Sequence, residues 1–215
     1  FTFAATAFSV IEAGCKPLFV DVGPNGLLDQ TMVRNALLDI GDQIFGIIPV
    51  HLYGQCMQLE SELQEKPIIE DACQAHGAVR SVQGSAACFS FYPSKNLGAC
   101  GDAGAVITDM DRIAEFAKTY INYGDPPGTK YQHVMSGTNA RMDAIQAVIL
   151  SHKLDYLDIW NEIRNVLAGR YIRNGIDSIT TVRPCVWHQY IILVDHPQEF
   201  QAKLKEFGIE SGIHY

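Results

Sequence analysis

Two side chains in this 215-residue chain have the type and the placing for covalent or acid–base chemistry. Asp71 closes the apolar run of "KPIIEDACQAHGA", and Lys95 follows another in "FSFYPSKNLGACGDAGAV". Each run reads as a buried strand. Each charge then stands at a strand's carboxyl end, the rim at which open α/β sheets bind ligands. A lysine there is costly unless it is exposed, paired or consumed by a reaction. The pair admits three readings. One is a structural ion pair. Another is a phosphate-binding lysine beside a metal-binding acid. The third is a lysine that forms a Schiff base with a cofactor whose ring nitrogen the acid keeps protonated. The phosphate reading has little support, because G-x-x-x-x-G-K-[ST] is absent and the glycines follow Lys95 instead of preceding it. Neither a G-x-G-x-x-G dinucleotide turn nor a G-x-S-x-G nucleophile elbow occurs.

His51 and His76 flank these motifs. Without a third ligand at suitable spacing they read as hydrogen-bonded structural histidines, and no metal site is expected. The six cysteines, Cys15, Cys56, Cys73, Cys88, Cys100 and Cys185, form no C-x-x-C pair. They read as reduced structural thiols of a cytoplasmic protein. A net charge of -8 with scattered Lys and Arg speaks against nucleic acid as a partner. No apolar run is long enough to span a membrane. The abrupt start at "FTFAATAFSV" and stop at "GIHY" read as cuts through a longer protein, and the start is not read as a signal peptide.

The elements that must position Asp71 and Lys95 follow from local pattern. "ATAFSVIEAG" reads as a helix closed by Gly14, "LDQTMVRNALL" as a helix, and "LESELQE" as a polar helical face. "KPLFVDV", "QIFGIIPVHLYG", "KPIIEDA", "GSAACFSFYPSK" and "GAVIT" read as strands. Strands alternating with helices predict an α/β domain with a mostly parallel sheet. The character changes at Pro126, where a turn-rich loop precedes a long or broken helical stretch with Met142, Ile145, Val148, Ile149, Leu154, Leu157 and Ile163 at helical spacing. "WHQYIILV", "PQEFQAKLKEFGI" and "ESGIHY" then read as strand, helix, strand. The expected organisation is a large domain over 1–125, a loop and linking helices over 126–168, and a small α/β domain over 169–215.

Taken in order, "FVDVGP", "IPVHLYGQ", "IIEDACQAHGA", "FSFYPSKNLGACGDAGAVIT" and "GTNARMDAIQAVIL" resemble the DegT/DnrJ/EryC1/StrS family of pyridoxal-phosphate-dependent sugar aminotransferases. The resemblance runs over nearly the whole chain. It implies the fold-type I architecture of aspartate aminotransferase-like enzymes, with 1–125 as a cofactor-binding large domain. It also implies a homodimer with active sites shared between subunits. Lys95 matches the Schiff-base lysine. An amine that both holds the cofactor and moves a proton has to be uncharged for part of the cycle, which a desolvated site favours. Asp71 matches the acid under the pyridine nitrogen, and Gln74 the residue that touches the ring hydroxyl. Ser90 matches a hydroxyl ligand of the cofactor phosphate, and Phe3 the aromatic group stacked on the ring. Asn139 matches an asparagine that reaches the phosphate in the neighbouring subunit's site. Each has a plainer rival: Phe3 a core residue, Ser90 a turn residue, Gln74 a surface amide, Asn139 the cap of a helix starting near Arg141.

The resemblance implies transfer of an amine, from glutamate by analogy, to a nucleotide-linked keto-sugar in surface polysaccharide or glycosylated metabolite biosynthesis. Lys95 speaks against the branch of relatives that carries histidine there and dehydrates the sugar. The alternative is a catalytically silent member acting as a regulator or scaffold. Two departures stand out. The family's upstream segment, with a phosphate-gripping helix N-terminus, is not in this sequence, and the loop at "AVRSVQGSAA" lacks the common Tyr-Lys-Gly hairpin.

Overall fold

The computed structural model describes residues 1–215. At its centre a small mixed sheet runs in the order β1 (Ile69–Asp71), β2 (Ala86–Ser90), β3 (Gly104–Ile107). β1 and β2 are parallel, with Asp71 opposite Cys88; β3 is antiparallel to β2, with Gly104 opposite Ser90. On the other side of β1, parallel bridges at Ile47–Ile68 and Val50–Asp71 extend the sheet. These contacts do not make the continuous strand expected of "QIFGIIPVHLYG". Pro49 accepts from the Asp71 N–H but has no N–H of its own to return. "KPLFVDV" likewise yields only the Val22–Leu28 bridge, and Leu18 and Phe19 stand exposed.

The helices largely follow the sequence pattern. α1 (Ala4–Glu12) ends in a turn at Gly14, whose φ of +74° is the left-handed conformation that glycine adopts without penalty. α2 (Gln30–Ile40) is capped by Asp29, whose carboxylate accepts from the Thr31 and Met32 N–H groups. α3 (Asp111–Tyr120), which the sequence reading did not include, follows β3. The long helical stretch is broken into α4 (Ala144–Leu154) and α5 (Leu157–Arg173). α6 (Pro197–Glu206) starts on a proline, whose missing N–H is no loss in the first turn. "LESELQE" forms only a short 3₁₀ stretch, Ser61–Glu65. No helix is long and apolar enough to cross a membrane.

The two C-terminal strands are not formed. "WHQYIILV" instead leans on a loop, with the His188 N–H bonded to the Tyr53 carbonyl at 3.0 Å and an isolated bridge between Gln55 and Cys185. An apolar run makes a strand only where a neighbour completes its backbone bonds, and here the neighbour is a turn.

Two apolar clusters hold the chemistry-bearing loops. Cys56, Ala72, Ala75, Ala78, Val79 and Val186 pack behind Asp71, while Leu97 and Ala99 pack against Leu150 of α4 and Leu157 of α5. The helical face read from spacing is thus only partly used inward. Of that face Leu157 is buried, but Ile145 and Val148 are 73% and 70% exposed and Leu154 and Ile163 are 56% and 52% exposed; the buried residue of α4 is Leu150, which the spacing did not single out. Periodicity identifies an apolar stripe without saying what covers it.

Candidate active site

Asp71 ends β1, and its carboxylate is held from two sides. The Thr6 hydroxyl of α1 donates to Oδ2 at 2.8 Å and the Cys73 N–H donates to Oδ1 at 3.2 Å. α1 is thereby tied to the sheet edge, and Phe3, at its N-terminus, projects from that helix end 59% exposed. Gln74 lies in the turn after β1 and is buried. Its Oε1 accepts the Tyr53 N–H at 2.7 Å, so its NH₂ group must face the other way, where it donates to the Tyr215 hydroxyl at 2.9 Å. Tyr53 is fully buried with φ +61°, a left-handed conformation unusual for an aromatic residue. That backbone setting aims its N–H at Gln74. Burial, followed by the neighbouring Tyr215, pushes the Tyr53 hydroxyl pKa up to about 12. The Tyr215 ring stacks on Tyr53 at 6.4 Å and lies 6.2 Å from the Phe3 ring. Phe3 and Gln74 are thus linked through Tyr215.

Lys95 follows β2 in a tight turn, its N–H bonded to the Tyr92 carbonyl at 2.9 Å. Gly98 closes this turn: a Cβ there would lie 2.4 Å from the Pro93 carbonyl oxygen, which no side chain tolerates. The half-buried Lys95 ammonium makes no hydrogen bond and no ion pair with any protein group. It and Asp71 both act on the Cys73 thiol between them, whose pKa is raised by burial first and by Asp71 next, and lowered by Lys95. The carboxylate and the amine therefore share one rim without neutralising each other, which removes the structural ion-pair reading. Ser90, at the end of β2, accepts the Tyr92 N–H on its hydroxyl at 3.3 Å, leaving its own O–H free to donate. Asn139 is not brought to this rim. It is exposed and pairs through the backbone with Asn122, and α4 starts after Asp143, so Asn139 does not cap that helix.

The two histidines differ from each other. His51 is a buried, hydrogen-bonded structural residue, as its position suggests. His76 is not: both ring nitrogens are buried without a hydrogen-bond partner, and the ring is wedged between Phe89 and Phe91 at 5.5 and 5.7 Å. Burial lowers its pKa to about 4, so it stays neutral at neutral pH. Sequence reasoning missed Thr6, the Tyr53 backbone and the buried Asn96–His188 contact at 3.0 Å. Only Asn96 carried a signal, as the residue adjoining Lys95.

All residues, 1–215, match the model of the DegT/DnrJ/EryC1/StrS aminotransferase family. The chain belongs to this family. Among its relatives is a "Pleiotropic regulatory protein" of Geobacillus stearothermophilus, 40% identical over 100% of this chain and 62% of the relative. Another is a dTDP-3-amino-3,4,6-trideoxy-alpha-D-glucose transaminase of Micromonospora megalomicea subsp. nigra, 39% identical over 100% of this chain and 62% of the relative. A solved DegT/DnrJ/EryC1/StrS aminotransferase from Brucella abortus superposes with a TM-score of 0.91 at 32% identity, over 100% of this chain and 63% of that one. The fold is thus the α/β architecture of fold-type I aminotransferases, of which the chain spans 62% of the length of these curated relatives.

Proposed function

We propose that the chain carries the catalytic rim of a pyridoxal-phosphate-dependent aminotransferase that delivers an amino group to a nucleotide-linked keto-sugar. The observation that carries this reading is the unpaired Lys95 amine, held on the same strand-end rim as a carboxylate it does not bond. A structural lysine would be paired or fully solvated; a nucleophilic amine has to be neither.

The residues present fit pyridoxal phosphate. An amine, a carboxylate anchored by α1, an outward-facing amide NH₂, an exposed aromatic ring and a free hydroxyl match its aldehyde, ring nitrogen, ring oxygen, ring face and phosphate. When bound, the cofactor supplies an electron-withdrawing ring that stabilises negative charge at the carbon next to the transferred nitrogen. Lys95 Nζ would hold the cofactor and, when uncharged, could accept and return a proton. The Asp71 carboxylate would keep the proton on the ring nitrogen, and Thr6 and the Cys73 N–H fix its orientation. Gln74 Nε2, its direction set by the Tyr53 N–H, would donate to the ring oxygen. Phe3 would cover the ring face, an aromatic contact contributing about 1 kcal/mol. The Ser90 Oγ–H would donate to the phosphate.

The sugar substrate is supported by the name of the Micromonospora relative, and glutamate as donor by family analogy. We assign surface polysaccharide or glycosylated metabolite biosynthesis as the context and the cytoplasm as the location. The division at 125 and 168 is kept as the domain organisation. A homodimer is supported by the exposed Ile145 and Val148 on α4; Asn139, exposed and bridged to Asn122, is assigned by family analogy to the partner's phosphate site. A regulatory role is favoured by the name of the Geobacillus relative. The two readings separate in one experiment. The purified protein is incubated with pyridoxal phosphate, then with glutamate and a panel of nucleotide keto-sugars, with absorbance and product mass recorded. A visible band that glutamate bleaches, and an aminated sugar, support the enzyme. A protein that stays colourless and dimeric supports the regulator.

A further inference from the structure

The Lys95 amine has no protein bond of its own, so the backbone beneath it decides where it stands. A lysine side chain has many rotamers, and a loose backbone would spread its amine further. The loop that follows Lys95 is held in a regular way. Its apolar positions, Leu97 and Ala99, pack on Leu150 of α4 and Leu157 of α5. The positions that alternate with them are bonded to polar side chains of the same two helices. Asn96 Nδ2 donates to Asn161 Oδ1 at 2.9 Å. Lys153 Nζ donates to the Gly98 carbonyl. Gln146 Oε1 accepts the Cys100 N–H at 2.8 Å.

Gln146, Leu150 and Lys153 follow one another at helical spacing and so form one stripe along α4, which Leu157 and Asn161 continue on α5. The loop runs against this stripe in the opposite direction, from Asn96 at Asn161 to Cys100 at Gln146. The approach is close: a Cβ at Gly101 would lie 3.1 Å from Gln146 Nε2. Asn161 is buried and anchored in turn, its Nδ2 donating to the His76 carbonyl at 2.8 Å. Gln146 and Lys153 are only half-buried, so burial does not force their bonds. Water could satisfy both side chains, yet each is directed at the backbone of the Lys95 loop.

Building on the aminotransferase reading, we propose that Gln146 and Lys153 of α4 are positioning residues for Lys95. They grip the backbone at Cys100 and Gly98 and leave the amine itself unbonded. A reactive amine tied directly to a partner would have to break that bond before it could react. A clamp on the backbone keeps the amine in place and leaves its lone pair free once it loses its proton.

The test removes the two grips without emptying their space. Gln146→Met and Lys153→Met keep an unbranched stem and lose the acceptor and the donor. Gln146→Glu keeps an oxygen for the Cys100 N–H, and its charge in the first turn of α4 is favourable to the helix. The parent and the variants are mixed with pyridoxal phosphate across a pH series and quenched with borohydride. Covalent labelling of Lys95 is followed by peptide mass spectrometry. Deuterium exchange without cofactor reads the loop, and melting temperature reads the fold. In both Met variants the labelling rate should fall roughly tenfold at its high-pH plateau, within the ~10²-fold that a misplacement of about 1 Å can cost. The pH midpoint of Gln146→Met should stay at the parent value, because the grip acts on geometry and not on charge. Exchange should quicken over residues 96–101 alone, and Gln146→Glu should recover the parent's labelling rate. If folded Met variants label at the parent's rate, the positioning role is wrong while the aminotransferase reading stands. The role is equally overturned if exchange quickens along the whole chain, or if Gln146→Glu melts like the parent but labels like Gln146→Met. If the parent is not labelled at Lys95, the aminotransferase reading falls and takes this role with it.

Discussion

His51 and Glu70 form a hydrogen-bonded pair at 2.8 Å with neither side chain reachable by solvent. Its direction is fixed, because His51 Nδ1 accepts the Met57 N–H and so Nε2 must be the donor to Glu70. Glu70 also accepts from the Gln83 and Gly84 N–H groups at 2.6 and 3.0 Å. The residue just before Asp71 thus holds the turn after Tyr53 and the loop at Gln83 to the same strand.

Acid should act first on this knot. Hydrogen bonds from His51, Gln83 and Gly84 outweigh the burial that opposes them, and the Glu70 pKa lies below its ordinary 4.5. A carboxylate with a depressed folded pKa contributes stability that is fully present above 4.5 and is lost as pH falls through the lower value. Urea denaturation of Glu70→Ala at neutral pH should show a loss of about 3–5 kcal/mol. The remaining acid dependence between pH 4.5 and the lower pKa should be flatter than in the parent.

Removal of the amine should separate chemistry from folding. Because Lys95 makes no side-chain bond, Lys95→Ala should leave the melting temperature nearly unchanged, abolish visible absorbance with pyridoxal phosphate, and give no labelled peptide on borohydride treatment. Asp71→Asn should keep the cofactor but lower turnover on the order of 10²–10³-fold, the scale of losing one aimed electrostatic group. Turnover within threefold of the parent would remove Asp71 from the mechanism.

Gln74 has two jobs on two ends of one amide. Gln74→Leu strands the buried N–H of Tyr53 and should lower stability by about 1–3 kcal/mol. Gln74→Glu keeps the acceptor for Tyr53 and loses the outward donor, so cofactor affinity should fall while the urea midpoint barely moves. Equal urea midpoints for the two variants would contradict the assignment.

His76 offers the opposite case. Its ring nitrogens are buried and unpartnered, so a group of similar shape without polar atoms should be tolerated. His76→Phe is expected to be neutral or to raise stability by about 1 kcal/mol. A large loss in thermal unfolding would mean that the imidazole has a partner in solution.

Asn139 should act only across a subunit boundary. Asn139→Ala and Lys95→Ala are each expected to be poorly active alone. Co-refolded, they should regain activity, because one site of the mixed dimer then draws Lys95 and Asn139 from different intact chains. No recovery would place Asn139 in the site of its own chain.

Read alone, the chain already determined α1, α2, the α4–α5 stretch and α6, the β1–β3 strands and the two charged residues at strand ends, because each rests on local signals; α3 was not read from the sequence. Asp29 before α2, Gly14 after α1 and the apolar runs before Asp71 and Lys95 are written within a few residues. What only the tertiary structure decided are relations between distant segments. Whether "KPLFVDV" and "WHQYIILV" become strands depends on a neighbour to complete their backbone bonds. Whether Ile145 faces a core or the outside depends on which side α4 lays on the Lys95 loop. That Thr6 steadies Asp71, that Tyr53 aims Gln74, and that Gln146 and Lys153 hold the loop after Lys95 are all hydrogen bonds across long loops. Their geometry is set by packing, and no local propensity encodes it.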